Sequence, residues 1–355
     1  MMIFRLSIIP RERRQVTDMT RTRTINGAIA AALIIFPIVT ALICIGIGRY
    51  SVSVPETVRL LLGGPLPYGQ QDMAYSVIYN VRLPRIILAV IVGAGLACSG
   101  AAFQGLFTNP LATPDTLGVA SGASFGAVLA MMFDANLIVV QISALIFGLA
   151  ACFITYNISR IRGQSSIVMI VLGGMVVSAM FQAFVSLAKY VADPLDKLPS
   201  ITYWLMGSMA SSTYRTLALG APFIVAGIAL IFALRWRLNI LSLNEDEVRS
   251  MGMNIKTMRF MVILGASLIT SSCVSMCGQV GWVGLLVPHV ARMLMGSSNK
   301  TVVPISISLG AVFMLVMDTF ARSATAAEIP ISILTAIIGA PFFIILLRKT
   351  GGAWS

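Results

Sequence analysis

The sequence predicts an all-α integral membrane protein with about ten transmembrane helices, and three observations support this fold class. Hydrophobic residues make up 57% of the 355 residues and charged residues only 11%, whereas a soluble domain averages about 25% charged residues. Apolar runs recur along the whole chain at the length of about 20 residues that crosses a bilayer as a helix. Runs such as 86–105 and 301–320 lack the strict alternation of a transmembrane β-barrel.

The ten spans follow from the hydropathy pattern. The first run, 27–48, is too long for the core of a cleaved signal peptide and is therefore read as a membrane helix. The run 280–295 is short and contains Pro288, so we expect that span to be broken or tilted. Residues 199–212 are apolar but too short to cross, which suggests a half-helix at the outer surface. The other spans are expected near 84–106, 116–133, 137–158, 165–188, 216–235, 259–277, 302–320 and 331–348.

The basic residues predict the orientation of these spans. An even number of spans that starts inside the cell places both the N and the C terminus in the cytoplasm. This arrangement assigns 17 of the 25 Lys and Arg residues to the cytoplasmic side, as the positive-inside rule requires. The net charge of +12 is then a topology signal, and nucleic acid is not expected as a partner. Residues 1–26 form a basic cytoplasmic tail, and residues 27–350 form the membrane domain.

Ionisable residues are scarce within the predicted spans, and this scarcity limits the possible functions. Asp318 is the main candidate, and it lies four residues before Arg322 on the same helix face. We expect a structural ion pair between them, with an ion site as the alternative. No chain of carboxylates could relay protons, which argues against the alternative of a solitary secondary transporter or channel. The chain also lacks a GxxxxGK[ST] motif, so any ATPase activity must belong to a partner subunit.

No cluster of side chains in the sequence indicates an enzyme. The five cysteines lie within apolar runs, where a free Cys behaves as a small hydrophobic residue. His289, the single histidine, follows a proline and has no acidic neighbour. We therefore expect no catalytic residue, no metal site and no cofactor. A membrane enzyme or scaffold is the third and weakest alternative, because it would need a nucleophile, a metal or an acid–base set.

The predicted cytoplasmic loop 238–259 is the most unusual polar segment. Three acidic residues follow Asn244, a good helix N-cap residue, and complement a helix N-terminus. Gly252 fits the C-cap position of the same short helix. Such an amphipathic helix suits docking to a cytoplasmic partner, and a solvated loop is the alternative. The three acidic residues are Glu245, Asp246 and Glu247.

Two arginines three residues apart stand at the predicted start of the second span. Arg82 and Arg85 flank Leu83-Pro84 in a segment assigned to the outer side. Arginines fixed by a proline at a helix start are well placed to bind carboxylates of an external partner. Anchoring in lipid headgroups is the alternative for both side chains.

Several long motifs of the chain resemble the FecCD family of ABC importer permeases. Residues 82–126 contain RLPR and then SGAAFQGLFTNPLATPDTLGVASGASFG. Residues 278–348 contain GQVGWVGLLVPHVARMLMG and then AEIPISILTAIIGAPFFIILL. The segment SLNEDEVRSMGMN is similar to the coupling segment of the family, which usually reads LGEExARxLG. Asn244 stands where that segment usually has glycine, and Trp282 replaces a usual phenylalanine. The resemblance covers the chain from the first membrane helix onward.

The resemblance implies a multi-pass permease of a bacterial or archaeal cytoplasmic (inner) membrane, built as a dimeric permease core. The implied partners are a second permease subunit, two cytoplasmic ATPase subunits, an extracytoplasmic substrate-binding protein and membrane lipid. An iron chelate, either a siderophore or haem, is the favoured cargo. Vitamin B12 and oxyanions such as molybdate are the alternatives within the family.

The resemblance also implies roles for individual residues. Arg82, Arg85 and Arg322 match positions that dock the binding protein. Asn109 and Leu111 match a cytoplasmic gate. The residues that match the helix seated in the ATPase are Glu245, Asp246, Glu247, Arg249 and Gly252.

Overall fold

The computed structural model describes residues 11–48, 50, 52–64, 71–160, 167–325 and 327–350, and these residues form helices and connecting turns without any strand. Residues 1–10 of the predicted tail lie outside the described range, and the first helix already begins at Arg11. The α-helices are α1 (Arg11–Gly46), α2 (Val54–Leu61), α3 (Gln71–Ser76), α4 (Leu83–Leu106), α5 (Val119–Met132), α6 (Leu137–Ile158), α7 (Ile167–Val191), α8 (Lys197–Leu205), α9 (Tyr214–Ile240), α10 (Glu245–Ser250), α11 (Ile255–Cys277), α12 (Val283–Met295), α13 (Asn299–Ser323) and α14 (Ile331–Thr350).

Each of the ten predicted spans corresponds to an apolar helix, which confirms the all-α membrane fold. Seven stretches of the described chain are long and apolar enough to cross a bilayer. They comprise α1 from Gly27, α4 with its helical extension, α6, α7, α9, α11 and α13. The other three spans are shorter apolar helices, namely α5, α12 and α14. The predicted outer half-helix corresponds to α8, which begins at Lys197.

The second span is longer than the sequence indicated. Residues Met73–Leu106 form one helical stretch of 34 residues, in which the π-helical turns Val77–Arg82 join α3 to α4. Pro84 lies in the first turn of α4 and has no N–H to donate. The wider π-helical turns before it let the helix pass the proline without ending. Arg82 and Arg85 therefore lie within a continuous helical stretch, whereas the sequence had placed them at a helix start.

Helix α4 lies at the centre of the bundle and is buried over nearly its whole length. Glycine pairs allow its close neighbours to approach. A Cβ on Gly93 would lie 2.2 Å from the carbonyl oxygen of Gly310 in α13. A Cβ on Gly100 would lie 1.9 Å from the carbonyl oxygen of Gly284 in α12. Such backbone contacts provide van der Waals packing, which is a main driving force between helices in lipid.

The backbone before α12 is non-helical at a depth where the bilayer core is expected. Residues 278–282 connect α11 to α12 without helical structure, and Trp282 has a positive φ of 69°. Gly284, in the first turn of α12, packs on Gly100. Gly100 lies about 25 Å along the helix axis from the first residue of α4, so α12 begins far from the arginine-bearing start of α4. Irregular backbone at this depth is tolerated only where protein buries it or where it borders a water-filled cavity. The connection 278–282 thus marks a place to search for a transport path.

The bundle has two ends that correspond to the two predicted sides of the membrane. Arg82 lies at one end, where the hydroxyl of Tyr214 at the start of α9 donates to the carbonyl of Tyr79. Helix α9 then runs to Ile240 at the opposite end, where α10 follows. We call these the arginine end and the α10 end. The positive-inside rule predicts that the arginine end faces outward.

Candidate functional site: an arginine cluster, two polar cavities and a terminal helix

Five charged residues gather at the arginine end, and we call them the arginine cluster. Arg82, Arg85 and Arg322 are buried, with 3%, 5% and 7% of their surface exposed, and Asp318 is 1% exposed. Glu328 is partly exposed, with 32% of its side-chain surface accessible. Three positive and two negative charges leave the cluster with an excess positive charge.

Arg85 holds the two carboxylates of the cluster together. Its Nε donates to both oxygens of Asp318, at 2.8 and 3.1 Å. Its Nη1 donates to Oε1 of Glu328 at 2.8 Å. Arg322 Nε lies 3.8 Å from Oδ2 of Asp318, so Asp318 has a nearer partner in Arg85 than in Arg322. Charge-assisted bonds of this kind are strong where water is excluded.

The other two arginines bind the end of α1. Arg82 Nη1 donates to the carbonyls of Ile45 and Gly46 at 2.8 and 3.2 Å, and its Nη2 donates to the carbonyl of Tyr50. Arg322 donates to the carbonyl of Cys44. The last carbonyls of a helix have no partner within the helix. The two arginines satisfy them and fix α1 against the rest of the bundle.

The cluster borders an open concavity of about 170 Å³ whose lining includes all three arginines and Glu328. Nε of Arg322 has no hydrogen-bond partner among the described residues. Oε2 of Glu328 likewise has none. An additional carboxylate in the concavity would find excess positive charge. All three guanidinium groups already donate hydrogen bonds within the chain. The docking role stays a prediction, and it requires a carboxylate of the binding protein to reach the arginines through this concavity.

The connection that carries Glu328 is tied to the non-helical segment 278–282. The amide of Ile331 donates to the carbonyl of Gly207 at 3.0 Å, and the hydroxyl of Ser332 donates to the carbonyl of Met206 at 2.6 Å. The amide of Ser208 in turn donates to the carbonyl of Cys277 at 2.9 Å. Hydrogen bonds through residues 206–208 therefore connect the start of α14, just after Glu328, to the end of α11, where the segment 278–282 begins.

Two adjoining cavities border this segment. The aspartate cavity, of about 200 Å³, has Asp115 and Trp282 in its wall. The lysine cavity, of about 270 Å³, has Lys189 in its wall. The residues that line both cavities are Ser121, Gln182 and Gln279.

Helix α7 presents a polar face to both cavities. Ser178, Gln182 and Ser186 follow one another at intervals of four residues and so lie on one helix face. Gln182 and Ser186 are exposed in the single chain. An exposed amide inside a membrane helix is unfavourable against lipid tails. This face therefore borders either water or another protein chain.

The predicted gate residues follow α4 toward the α10 end. The side chain of Asn109 accepts a hydrogen bond from the amide of Leu111 at 2.9 Å, as in an Asx turn. Leu111 is 51% exposed. The turn is thus held by a local bond and presents an apolar side chain, and its gating role stays a prediction.

The predicted coupling segment contains the short helix α10. Asn244 occupies the N-cap position, but its side chain makes no capping bond. Glu245 pairs with Arg259 of α11 at 2.9 Å and with Arg249 at 3.5 Å. Gly252 follows the helix with a φ of 74°, a conformation in which glycine is unstrained. The ion pair to Arg259 ties α10 to a long membrane helix.

Sequence reasoning missed several residues of these sites. The available signal for Glu328 is an acidic residue two positions before Pro330 at a span boundary. The recurrence of Ser178, Gln182 and Ser186 every four residues was visible too. No sequence signal could place Gln279 beside α5 and α7, because the segments are far apart along the chain.

A bundle of apolar helices with a polar face, a polar cavity and an interrupted span has the architecture of a membrane transporter subunit. The chain belongs to the FecCD transport family, whose model matches residues 34–349. It is an ABC importer permease of that family and a multi-pass protein of the cytoplasmic membrane.

Relatives with different cargoes share this similarity. The molybdate import system permease protein MolB of Haemophilus influenzae is 42% identical, over 88% of this chain and 93% of its own. The cobalamin import system permease protein BtuC of Halobacterium salinarum is 36% identical, over 80% of this chain and 76% of its own. A solved metal-chelate type ABC transporter in an inward-facing conformation is 40% identical, with a TM-score of 0.83, and the match covers 91% of this chain and 99% of that one.

Proposed function

We propose that the chain is the membrane subunit through which an ATP-driven importer carries a metal-containing solute into the cell. The ATPase activity belongs to two cytoplasmic subunits, and a second permease subunit completes the core. An extracytoplasmic binding protein delivers the solute. Family membership and the similarity to a metal-chelate type transporter support this proposal.

One structural observation carries the proposal furthest, namely the exposed polar face of α7. Gln182 and Ser186 are exposed on the surface of the single chain, so water or a partner chain must lie beside them within the membrane. A translocation path between two permease subunits meets this need. The binding protein supplies recognition, so the path itself can bind the solute weakly enough to release it.

The arginine cluster and α10 are the proposed contact sites of the other subunits. The concavity lined by Arg82, Arg85 and Arg322 would receive a carboxylate of the binding protein. Helix α10 would seat in an ATPase subunit, and its ion pair to Arg259 would transmit movement to α11. Rigid-body rocking of helices would then alternate access, with the turn of Asn109 and Leu111 as the cytoplasmic gate.

An iron chelate, a metal oxyanion and cobalamin are the candidate cargoes. The resemblance to the family favours a siderophore or haem. The relative named for molybdate import, at 42% identity, supports the oxyanion. Cobalamin remains the alternative supported by the relative at 36% identity.

Uptake into proteoliposomes tests the proposal. The chain is reconstituted with its permease partner, ATPase and binding protein, and labelled ferric siderophore, haem, cobalamin and molybdate are offered in parallel. We expect ATP-dependent uptake of one cargo that disappears when the ATPase is omitted or the vesicles lack ATP. Uptake driven by an ion gradient without the ATPase would instead establish a solitary secondary transporter.

A further inference from the structure

We propose that the lysine cavity binds a small oxyanion, with Lys189 supplying positive charge and neighbouring hydroxyl and amide groups supplying hydrogen bonds. This inference rests on the proposed function and names the cargo class for one site along the path. It assigns to Ser121, Ser124 and Gln182 a role in binding that their sequence motifs do not indicate.

The chemical lining of the cavity selects for an anion. Six of its eight lining residues are polar, and none of them is a carboxylate. Lys189 forms no ion pair within the part of the chain that the structure describes, although Asp193 lies one helical turn further on. An unpaired ammonium group in a wall without carboxylates attracts a negatively charged ligand. A metal cation would find no hard anionic ligand there.

Two buried hydroxyl groups have hydrogen-bonding capacity that the chain does not use. Ser121 lines the cavity, is 7% exposed, and makes no side-chain hydrogen bond to any described residue. Ser124 is 1% exposed, and its oxygen accepts from Nε2 of Gln279 at 2.7 Å. Because that bond uses a lone pair, the hydroxyl proton of Ser124 remains available as a donor. Both serines line the cavity, so their hydroxyl groups can donate to a ligand there.

The arrangement of donors favours a compact anion. The cavity encloses about 270 Å³ within this chain. A tetrahedral oxyanion has four acceptor oxygens and can accept hydrogen bonds from several walls at once. The match in charge and donors points to molybdate, tungstate or sulfate.

The adjoining aspartate cavity limits where the anion can remain. Asp115 lines that cavity, and Ser121 and Gln182 lie in the walls of both cavities. A carboxylate repels an oxyanion, so the anion is held on the side of Lys189 until the helices move. The site is therefore weak and one-sided, as passage through a transporter requires.

Protection of an introduced cysteine tests this inference on the full-length permease in lipid nanodiscs. The five native cysteines are buried, so Ser186→Cys places a reactive thiol in the cavity wall. We expect molybdate or tungstate to slow its labelling by a neutral thiol reagent at least about threefold. In a Lys189→Ala background, loss of one charge-assisted bond should raise the concentration needed for protection by roughly tenfold or more. Lys189→Arg should retain protection.

A matched control and a second measurement make the result decisive. Leu187→Cys, on the adjacent exposed position of α7, should be labelled equally with and without oxyanion. Molybdate should also raise the Tm of the wild-type permease but not that of Lys189→Ala. Absence of both protection and a Tm shift with molybdate, tungstate and sulfate would overturn the inference. Protection by ferric siderophore or cobalamin alone would overturn it as well.

The uptake assay separates failure of this inference from failure of the proposed function. If the reconstituted importer carries a ferric chelate while oxyanions leave Ser186→Cys unprotected, the importer function stands and the oxyanion site is refuted. If the chain does not work with an ATPase at all, the proposed function fails whatever the cysteine labelling shows.

Discussion

Nε of Arg85 in α4 lies 2.8 Å from Oδ1 of Asp318 in α13, although 233 positions separate the two residues. Both side chains are almost fully buried. The pair joins the central helix of the bundle to α13. Through Arg322 and Arg82 the same cluster also holds the end of α1. The arginine cluster is thus a structural junction as well as a candidate docking site.

Asp318→Asn should lower the stability of the permease. The substitution removes the charge that compensates Arg85 and Arg322, and leaving a buried charge without its partner usually costs about 3–5 kcal/mol. Thermal unfolding in detergent should show a clear fall in Tm. Asp134→Asn is the control, because Asp134 pairs with Lys197 with 78% of its side chain exposed. Exposed pairs contribute only about 0.2–1 kcal/mol. Equal Tm values for the two variants would contradict the structural role.

Glu328→Gln should strengthen docking of the binding protein. The substitution removes the negative charge of Glu328 from the wall of the concavity while the amide can still bond to Arg85, so a docking carboxylate meets less competition. We expect a several-fold lower Kd at low salt, measured by surface plasmon resonance on permease in nanodiscs, and a smaller effect at high salt.

Asp196→Asn provides the comparison for Glu328→Gln, because Asp196 is an exposed acidic residue just before α8 near the same end. It should leave the Kd nearly unchanged. If Glu328→Gln and Asp196→Asn bind the partner equally well, the concavity is not where the binding protein docks.

Glu245→Gln should reduce transport without unfolding the permease. The substitution breaks the ion pair between α10 and Arg259, in which Arg259 is buried and Glu245 is half exposed. The amide oxygen of Gln can still accept a hydrogen bond from the guanidinium, so the loss of stability should stay at about 1 kcal/mol. We expect several-fold less uptake per ATP hydrolysed, measured in proteoliposomes together with phosphate release. Asp246→Asn, at the next position and outside the ion pairs of Glu245, should keep near-normal coupling. Unchanged coupling in Glu245→Gln would argue that the Arg259 contact is not used in transport.

Gly100→Ala should be poorly tolerated despite the higher helix propensity of alanine. The new Cβ would lie 1.9 Å from the carbonyl oxygen of Gly284, so α4 and α12 would have to separate. Such overpacking costs typically about 1–3 kcal/mol, visible as a lower Tm or a lower yield of folded protein. In Gly265→Ala the nearest atoms are side-chain carbons at 3.3 Å, which can shift. A wild-type Tm for Gly100→Ala would contradict the close packing of the two helices.

The amino-acid sequence by itself determined the membrane class, the number of spans and the approximate helix positions. Composition and the length of apolar runs decide these features, because a bilayer allows few ways to satisfy backbone hydrogen bonds. The sequence also indicated α10 through its charges and Gly252, because helix caps and turns are local. The sequence misplaced the start of the second span. A proline such as Pro84 often lies at a helix start, whereas π-helical turns extend this helix on the N-terminal side of Pro84.

Only the tertiary structure decided which distant residues meet. Arg85 finds Asp318 and Glu328, and Gln279 finds Ser124, across separations of more than 150 residues. Such contacts depend on how the helices pack around α4, which hydropathy does not encode. For the same reason the sequence could single out Arg82 and Arg85 as unusual but could not show that both are buried. The polar face of α7 likewise became a candidate path only when α5 and the segment 278–282 were placed beside it.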